Sequence, residues 1–238
     1  MSCSLTGISY LSVFLVLGYF VFRLFQYWKK EKNLVSKLWI YFIIFFELFL
    51  LPKAIGGMFF ADNPMFLKMT IYLGAFFQAF AFAVIAALVI VIKFPRISPW
   101  LGFFTLFLLG WTAAILTILI PFAPFLEQNG TINWGLPPTS LVSVVSIMRA
   151  FLYSITFFPL IIILFDQFKN SQNTYARMKA LGLGVTLLFL AITALIDFLF
   201  IGVFKLGIIW RDGSLILGSV VLFITLFLTR KTISHQNI

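Results

Sequence analysis

The stretch "FELFLLPKAIGG", residues 46–57, places two charges, Glu47 and Lys53, in a run of oil. LWIYFIIF precedes it and MFFA follows it. A bilayer core requires about 20 apolar residues per helix, and soluble core helices rarely sustain such lengths. Runs of this kind recur along the chain. Residues 1–22, 69–92, 97–126, 150–165, 180–196 and 213–229 carry no Asp, Glu, Lys or Arg. The 238 residues are 62% hydrophobic and 10% charged, against about 25% charged in an average soluble domain. In hydrocarbon every backbone N–H and C=O must be satisfied within its own segment or barrel. Barrel strands alternate polar with apolar residues, and these runs do not. The fold class expected is therefore all-α, a polytopic seven-transmembrane helix bundle forming one domain over residues 1–238.

Seven segments follow, at about 5–27, 38–60, 67–92, 99–122, 139–166, 179–204 and 208–229. The first has no basic residues before it, so it reads as a span rather than a cleavable signal. The seventh is the shortest, 17 uncharged residues unless Leu206–Trp210 joins it past Arg211 and Asp212. With the N-terminus outside, twelve basic residues fall on inner connections and the tail. They are Arg23, Lys29, Lys30, Lys32, Lys37, Lys93, Arg96, Lys169, Arg177, Lys179, Arg230 and Lys231. Lys68, Lys205 and Arg211 fall outside. The positive-inside rule then predicts N-terminus outside, C-terminus cytoplasmic, in the plasma or inner membrane. The net charge of +10 is a topology signal, not a nucleic-acid footprint. Trp28, Trp39 and Trp100 are expected at the inner boundary, Trp134 and Trp210 at the outer one, where amphipathic rings anchor. The outer connection FAPFLEQNGTINWGLPP, residues 122–138, carries the sequon Asn129-Gly130-Thr131, a three-residue pattern that also arises by chance.

Four ionisable residues lie within expected spans: Glu47, Lys53, Arg149 and Asp197. Each costs about 2.5–3.5 kcal/mol near mid-membrane on insertion scales, so such residues face the interior and pair. At about 1.5 Å per residue, Lys53, Arg149, Asp197 and Gln78 reach a common level in the outer half, with Glu47 deeper. Six residues turn a helix by about 600°, leaving Glu47 and Lys53 about 120° apart, so the expected pair is Arg149 with Asp197. Pro52 and Gly56-Gly57 are expected to bend or loosen the second helix. Thr139, Ser143, Ser146, Arg149, Tyr153 and Thr156 form one polar stripe at helical spacing, and Thr186, Thr193 and Asp197 another. Ala75, Ala79 and Ala83 form a small-residue row suited to close packing. The cluster admits two readings: an ion-pair network that sets helix register, or a pocket for a ligand or ion.

Absent residue types exclude several chemistries. The histidine is His235 and the cysteine Cys3, too few for zinc or haem ligation. No nucleophile elbow, phosphate loop or dinucleotide fingerprint occurs in a usable context. No cofactor, metal or enzymatic activity is expected.

FLKMTIYLGAFFQAF, residues 66–80, and YARMKALGLGVTLLFLAITALIDFLF, residues 175–200, resemble the seven-helix sensor module at the N-terminus of bacterial histidine kinases and cyclic-nucleotide-signalling enzymes. The resemblance implies a receptor-like bundle that takes a small or lipophilic ligand. Those modules feed a cytoplasmic output domain, whereas nine residues follow the last expected helix here; signalling would pass through a cytoplasmic partner. The alternative is a small-solute or ion transporter that uses the intramembrane charges.

Overall fold

A computed structural model describes residues 3–201, 203 and 209–234. Lys205, residues 206–208 and His235 lie outside the described residues, as do the side chains of Trp210, Arg230 and Lys231. Seven α-helices run in order: α1 (Leu5–Glu31), α2 (Leu34–Phe59), α3 (Pro64–Lys93), α4 (Pro99–Ile118), α5 (Ser140–Asn170), α6 (Thr174–Leu195) and α7 (Ile209–Ser234). A π-helical turn, Ile196–Ile201, prolongs α6 and carries Asp197. Six helices, α1 to α6, are long and apolar enough to cross a membrane. Large apolar side chains cover the outside of the bundle; Leu108 and Ile162 are each 65% exposed. A soluble monomer rarely exposes such extended apolar surface.

Helix boundaries differ from the hydropathy limits because caps, not oil, define them. Asn33 accepts from the Ser36 N–H and starts α2 at Leu34, four residues before the expected 38. Asn63 accepts from Phe66 N–H, and Pro64 fills the first helical position of α3. Such caps satisfy N–H groups that lack intrahelical acceptors. Helix α4 stops at Ile118, short of the expected 122. Pro121 and Pro124 lack N–H donors, and a residue before proline is driven from the helical region.

Consecutive helices pack side by side, and α7 returns to α1, closing a ring; α3 also touches α5. Between α4 and α5 the connection forms a small hairpin, β1 (Phe125–Leu126) antiparallel to β2 (Ile132–Asn133). Its turn is held by Glu127 N–H donating to Thr131 O at 2.8 Å and Gly130 N–H to Glu127 O at 3.0 Å, with Gly130 at φ +80°. The hairpin folds onto the start of α1: Leu5 N–H donates to Gly130 O at 2.8 Å. The end of the bundle bearing this hairpin is called the hairpin end below.

Small residues bring helices together at two points. Ala75, Ala79 and Ala83 are buried, and a Cβ on Gly110 of α4 would lie 2.9 Å from Ala79 Cα, so the alanine row is a packing seam. The helix α2 runs as one element through Pro52 to Phe59, and Gly57 has a packing role: it meets Gly7 of α1. A Cβ on Gly57 would sit 2.5 Å from Gly7 Cα. Ser4 fastens the same contact, its N–H and hydroxyl donating to Gly57 O at 3.0 and 2.8 Å. Backbone cannot yield as a side-chain tip does, so overpacking here costs about 1–3 kcal/mol. Gly7→Ala should lower the melting temperature in detergent, whereas Gly213→Ala, with open space around its Cβ position, should not. Equal melting temperatures for the two variants would refute the backbone contact.

Candidate functional site

The site lies beneath the hairpin, between α2, α5, the π-helical turn and α7. Thr6 is the first polar contact. Its hydroxyl donates to Asp212 Oδ2 and accepts from Ile132 N–H at 2.8 Å and Arg211 Nη2 at 3.2 Å. One donor and two acceptor positions are all a hydroxyl has, and all are used. Arg211 Nε donates to Asp212 Oδ1 at 2.7 Å. Arg211 is 1% exposed, and its Nη1 has no hydrogen-bond partner among the described residues. Arg211 and Asp212 were expected to interrupt the last span at the outer surface; instead they form a buried pair that joins α7 to α1 and the hairpin. Adjacent opposite charges in a sequence look solvated, which is why hydropathy passes over them.

Trp134 corrects a second expectation. Rather than anchoring at a membrane boundary, it is buried, with Arg211 Cζ 5.5 Å and Lys53 Nζ 5.8 Å from its ring centre. Gly135, at φ +61°, allows the turn that follows; a Cβ there would collide with the Ala123 backbone. Trp39 is likewise packed in the core.

Lys53 is 8% exposed, and its ammonium lies 4.1 Å from the Phe49 ring centre and 5.3 Å from that of Tyr10. Cation–π attraction reaches about 2 kcal/mol when desolvated. No hydrogen bond or ion pair to Lys53 occurs among the described residues. Arg149 Nη2 donates to Thr117 Oγ1 at 2.8 Å, and its guanidinium lies 5.6 Å from the Phe198 ring centre. The expected Arg149–Asp197 ion pair is not formed: among the described residues Asp197 has no ion pair or hydrogen bond. The Phe198 ring face and the Thr117 hydroxyl hold Arg149 in its place. Both residues nonetheless line one cavity of about 60 Å³, with Lys53, Ser146 and Trp134. Asp197 also lines a second cavity of about 40 Å³, with Tyr10, Tyr153, Thr193 and Arg211.

The remaining expected site residues divide. Gln78 of α3 is buried and donates from Nε2 to the Tyr153 hydroxyl at 2.9 Å, a tie between α3 and α5. Ser143, partly buried, lies outside the walls of both cavities. Thr139 caps α5, and Thr156 donates to Leu152 O in its own helix. Glu47 is not brought to the cluster. It is partly buried on the α1 side of α2, its Oε1 3.3 Å from the Cβ position of Gly18 and without a hydrogen-bond partner among the described residues. The 120° offset from Lys53 turns it toward another groove. Tyr10, Thr117, Phe198 and Trp134 were missed; three are aromatic or hydroxyl residues in spans rich in such residues, where sequence carries no signal of which ones meet.

No known protein family, curated protein or solved structure matches the chain. Among the described residues no group of His, Cys, Asp and Glu could hold a metal ion.

Removing one partner of a buried ion pair costs about 3–5 kcal/mol because it strands the other charge. Arg211→Met should therefore destabilise the bundle by that amount, and adding Asp212→Asn should recover part of it. Arg149→Met and Asp197→Asn should be nearly additive. Thermal unfolding of both double-mutant cycles checks this; stronger coupling in the second cycle would contradict the arrangement.

Proposed function

We propose that the chain is a non-catalytic, multi-pass integral membrane protein, a receptor- or sensor-like seven-helix bundle that binds a ligand in the polar chamber at its hairpin end and signals through a cytoplasmic partner. The observation that carries this reading is the Lys53 ammonium, nine-tenths buried on a cavity wall and without an acceptor among the described residues. A buried charge without a partner is costly, and intramembrane ionisable groups that persist in such positions mark binding sites. The basic-residue bias supports a topology with the N-terminus and the chamber outside, and Arg23, Lys29, Lys93 and Lys179 on the cytoplasmic side. The resemblance to the sensor modules of histidine kinases supports the same use of the fold.

Transport is the second reading, favoured by Asp197 lining two successive cavities. Against it stands the next space along the bundle. That cavity, about 20 Å³, is walled by Leu17, Phe20, Phe42, Phe46, Leu187 and Leu190. A charged solute would meet oil halfway, whereas a receptor needs access from one side.

Reporter fusions should place the two termini on opposite sides of the membrane, and the purified chain in proteoliposomes should show no charge-dependent solute uptake. Termini on the same side would overturn the topology. Uptake abolished by Asp197→Asn would replace the receptor with a carrier.

A further inference from the structure

The larger chamber has a charge balance, a size and a polarity that together define a ligand class. Arg211 and Asp212 neutralise each other at 2.7 Å. What remains around the cavities is Lys53, Arg149 and Asp197, formally one positive charge in excess. Apart from the Asp197 carboxylate, an acceptor, three groups on the larger cavity still have hydrogen-bonding capacity: the Lys53 ammonium, the Arg149 guanidinium beyond its single bond to Thr117, and the buried Ser146 hydroxyl. Each is a donor, and together they converge on one space. A single anionic acceptor would satisfy them and bring the chamber to neutrality.

Size and wall chemistry narrow the anion. A water needs about 10–15 Å³ of such volume, so a cavity of about 60 Å³ takes a molecule of roughly four to six heavy atoms. Apart from Thr117 and Asp197, the rest of its wall is apolar, with Ile71, Ile120, Phe122, Val142 and Val145 among it. A bare halide would leave that part empty, and a dianion would reverse the charge excess. Binding pockets of this kind combine an apolar body with a few convergent polar groups.

We propose that this chamber binds a short-chain monocarboxylate of two to four carbons, with its carboxylate between Lys53, Arg149 and Ser146 and its alkyl end against the valine and isoleucine wall. This deepens the receptor reading and rests on it. Asp197 lines the same cavity, where its carboxylate repels a second anion and so limits occupancy to one. Trp134, stacked near Lys53, is placed to report the event.

The test uses the full chain in nanodiscs, in buffer free of carboxylate and chloride, titrated with propionate, propionamide or chloride. Propionate at a hundredfold excess over its Kd should raise the melting temperature saturably by about 5 °C or more. Tryptophan emission should change over the same concentrations, and Trp134→Phe should remove that change. Propionamide, the neutral isostere, should do neither, and Lys53→Met should weaken propionate binding at least tenfold. An equal response to propionamide overturns the anion site, an equal response to chloride overturns the apolar subsite, and an unchanged Kd in Lys53→Met overturns the assigned contact. Should Lys53→Met fail to fold, the comparison of propionate with propionamide on the unaltered chain still decides. No propionate response with both termini on opposite sides and no solute flux overturns the ligand class while leaving the receptor reading intact.

Discussion

The Thr6 hydroxyl is the joint on which the hairpin end of the bundle depends. With one donor and two acceptor positions filled, it binds α1 to the hairpin through Ile132 and to α7 through Arg211 and Asp212. Consecutive helices can pack on their neighbours through short connections, but closure of the ring requires α1 to meet α7, over 200 residues away. Apolar faces alone would not choose this partner, since in lipid they have no hydrophobic reason to leave the bilayer. A fully satisfied polar knot supplies the direction that oil lacks. Ser4 on Gly57 and Leu5 on Gly130 extend it, so the first residues of α1 tie three parts of the chain together.

That knot sets up the chamber. The hairpin is held down over α2 and α5, and Trp134 is carried into the bundle between Lys53 and Arg211. Phe49 and Tyr10 complete an aromatic surround for the Lys53 ammonium. Ring faces stabilise a cation without supplying an acceptor, and so leave its hydrogen-bonding capacity unspent. Arg149 is held in the same way by Phe198 and one threonine. The π-helical turn at Ile196–Ile201 carries Asp197 and Phe198 together into this space, in keeping with the frequency of π-turns at functional sites.

Much of this was legible beforehand because hydropathy is a local property. The number and order of the helices follow from uncharged runs such as 69–92 and 97–126. The stripe through Ser146, Arg149 and Tyr153 was legible because helical spacing alone places these residues on one face. Glu47 was grouped with the cluster by its charge, although its greater depth and its offset of about 120° from Lys53 were already legible; that offset sends the two into different grooves. The Arg149–Asp197 pair was expected from charge and depth, yet complementary charges at one level need not touch when rings and hydroxyls lie closer. Arg211, Asp212 and Trp134 were set at the surface because their neighbours in sequence are polar or turn-forming. Arg211 and Asp212 bond residues 79 to 206 positions away, and Trp134 packs against Lys53 and Arg211; no local window contains such partners.

The amino-acid sequence by itself determined that hydrocarbon-length helices make up this chain and which of their faces are polar, because both depend on residues a few positions apart. Tertiary structure alone decided which cations keep hydrogen-bonding capacity among the described residues, which rings surround them and that a hairpin covers them. Those outcomes depend on how helices rotate against one another and on where a connection folds back, and both are settled by contacts between residues far apart along the chain.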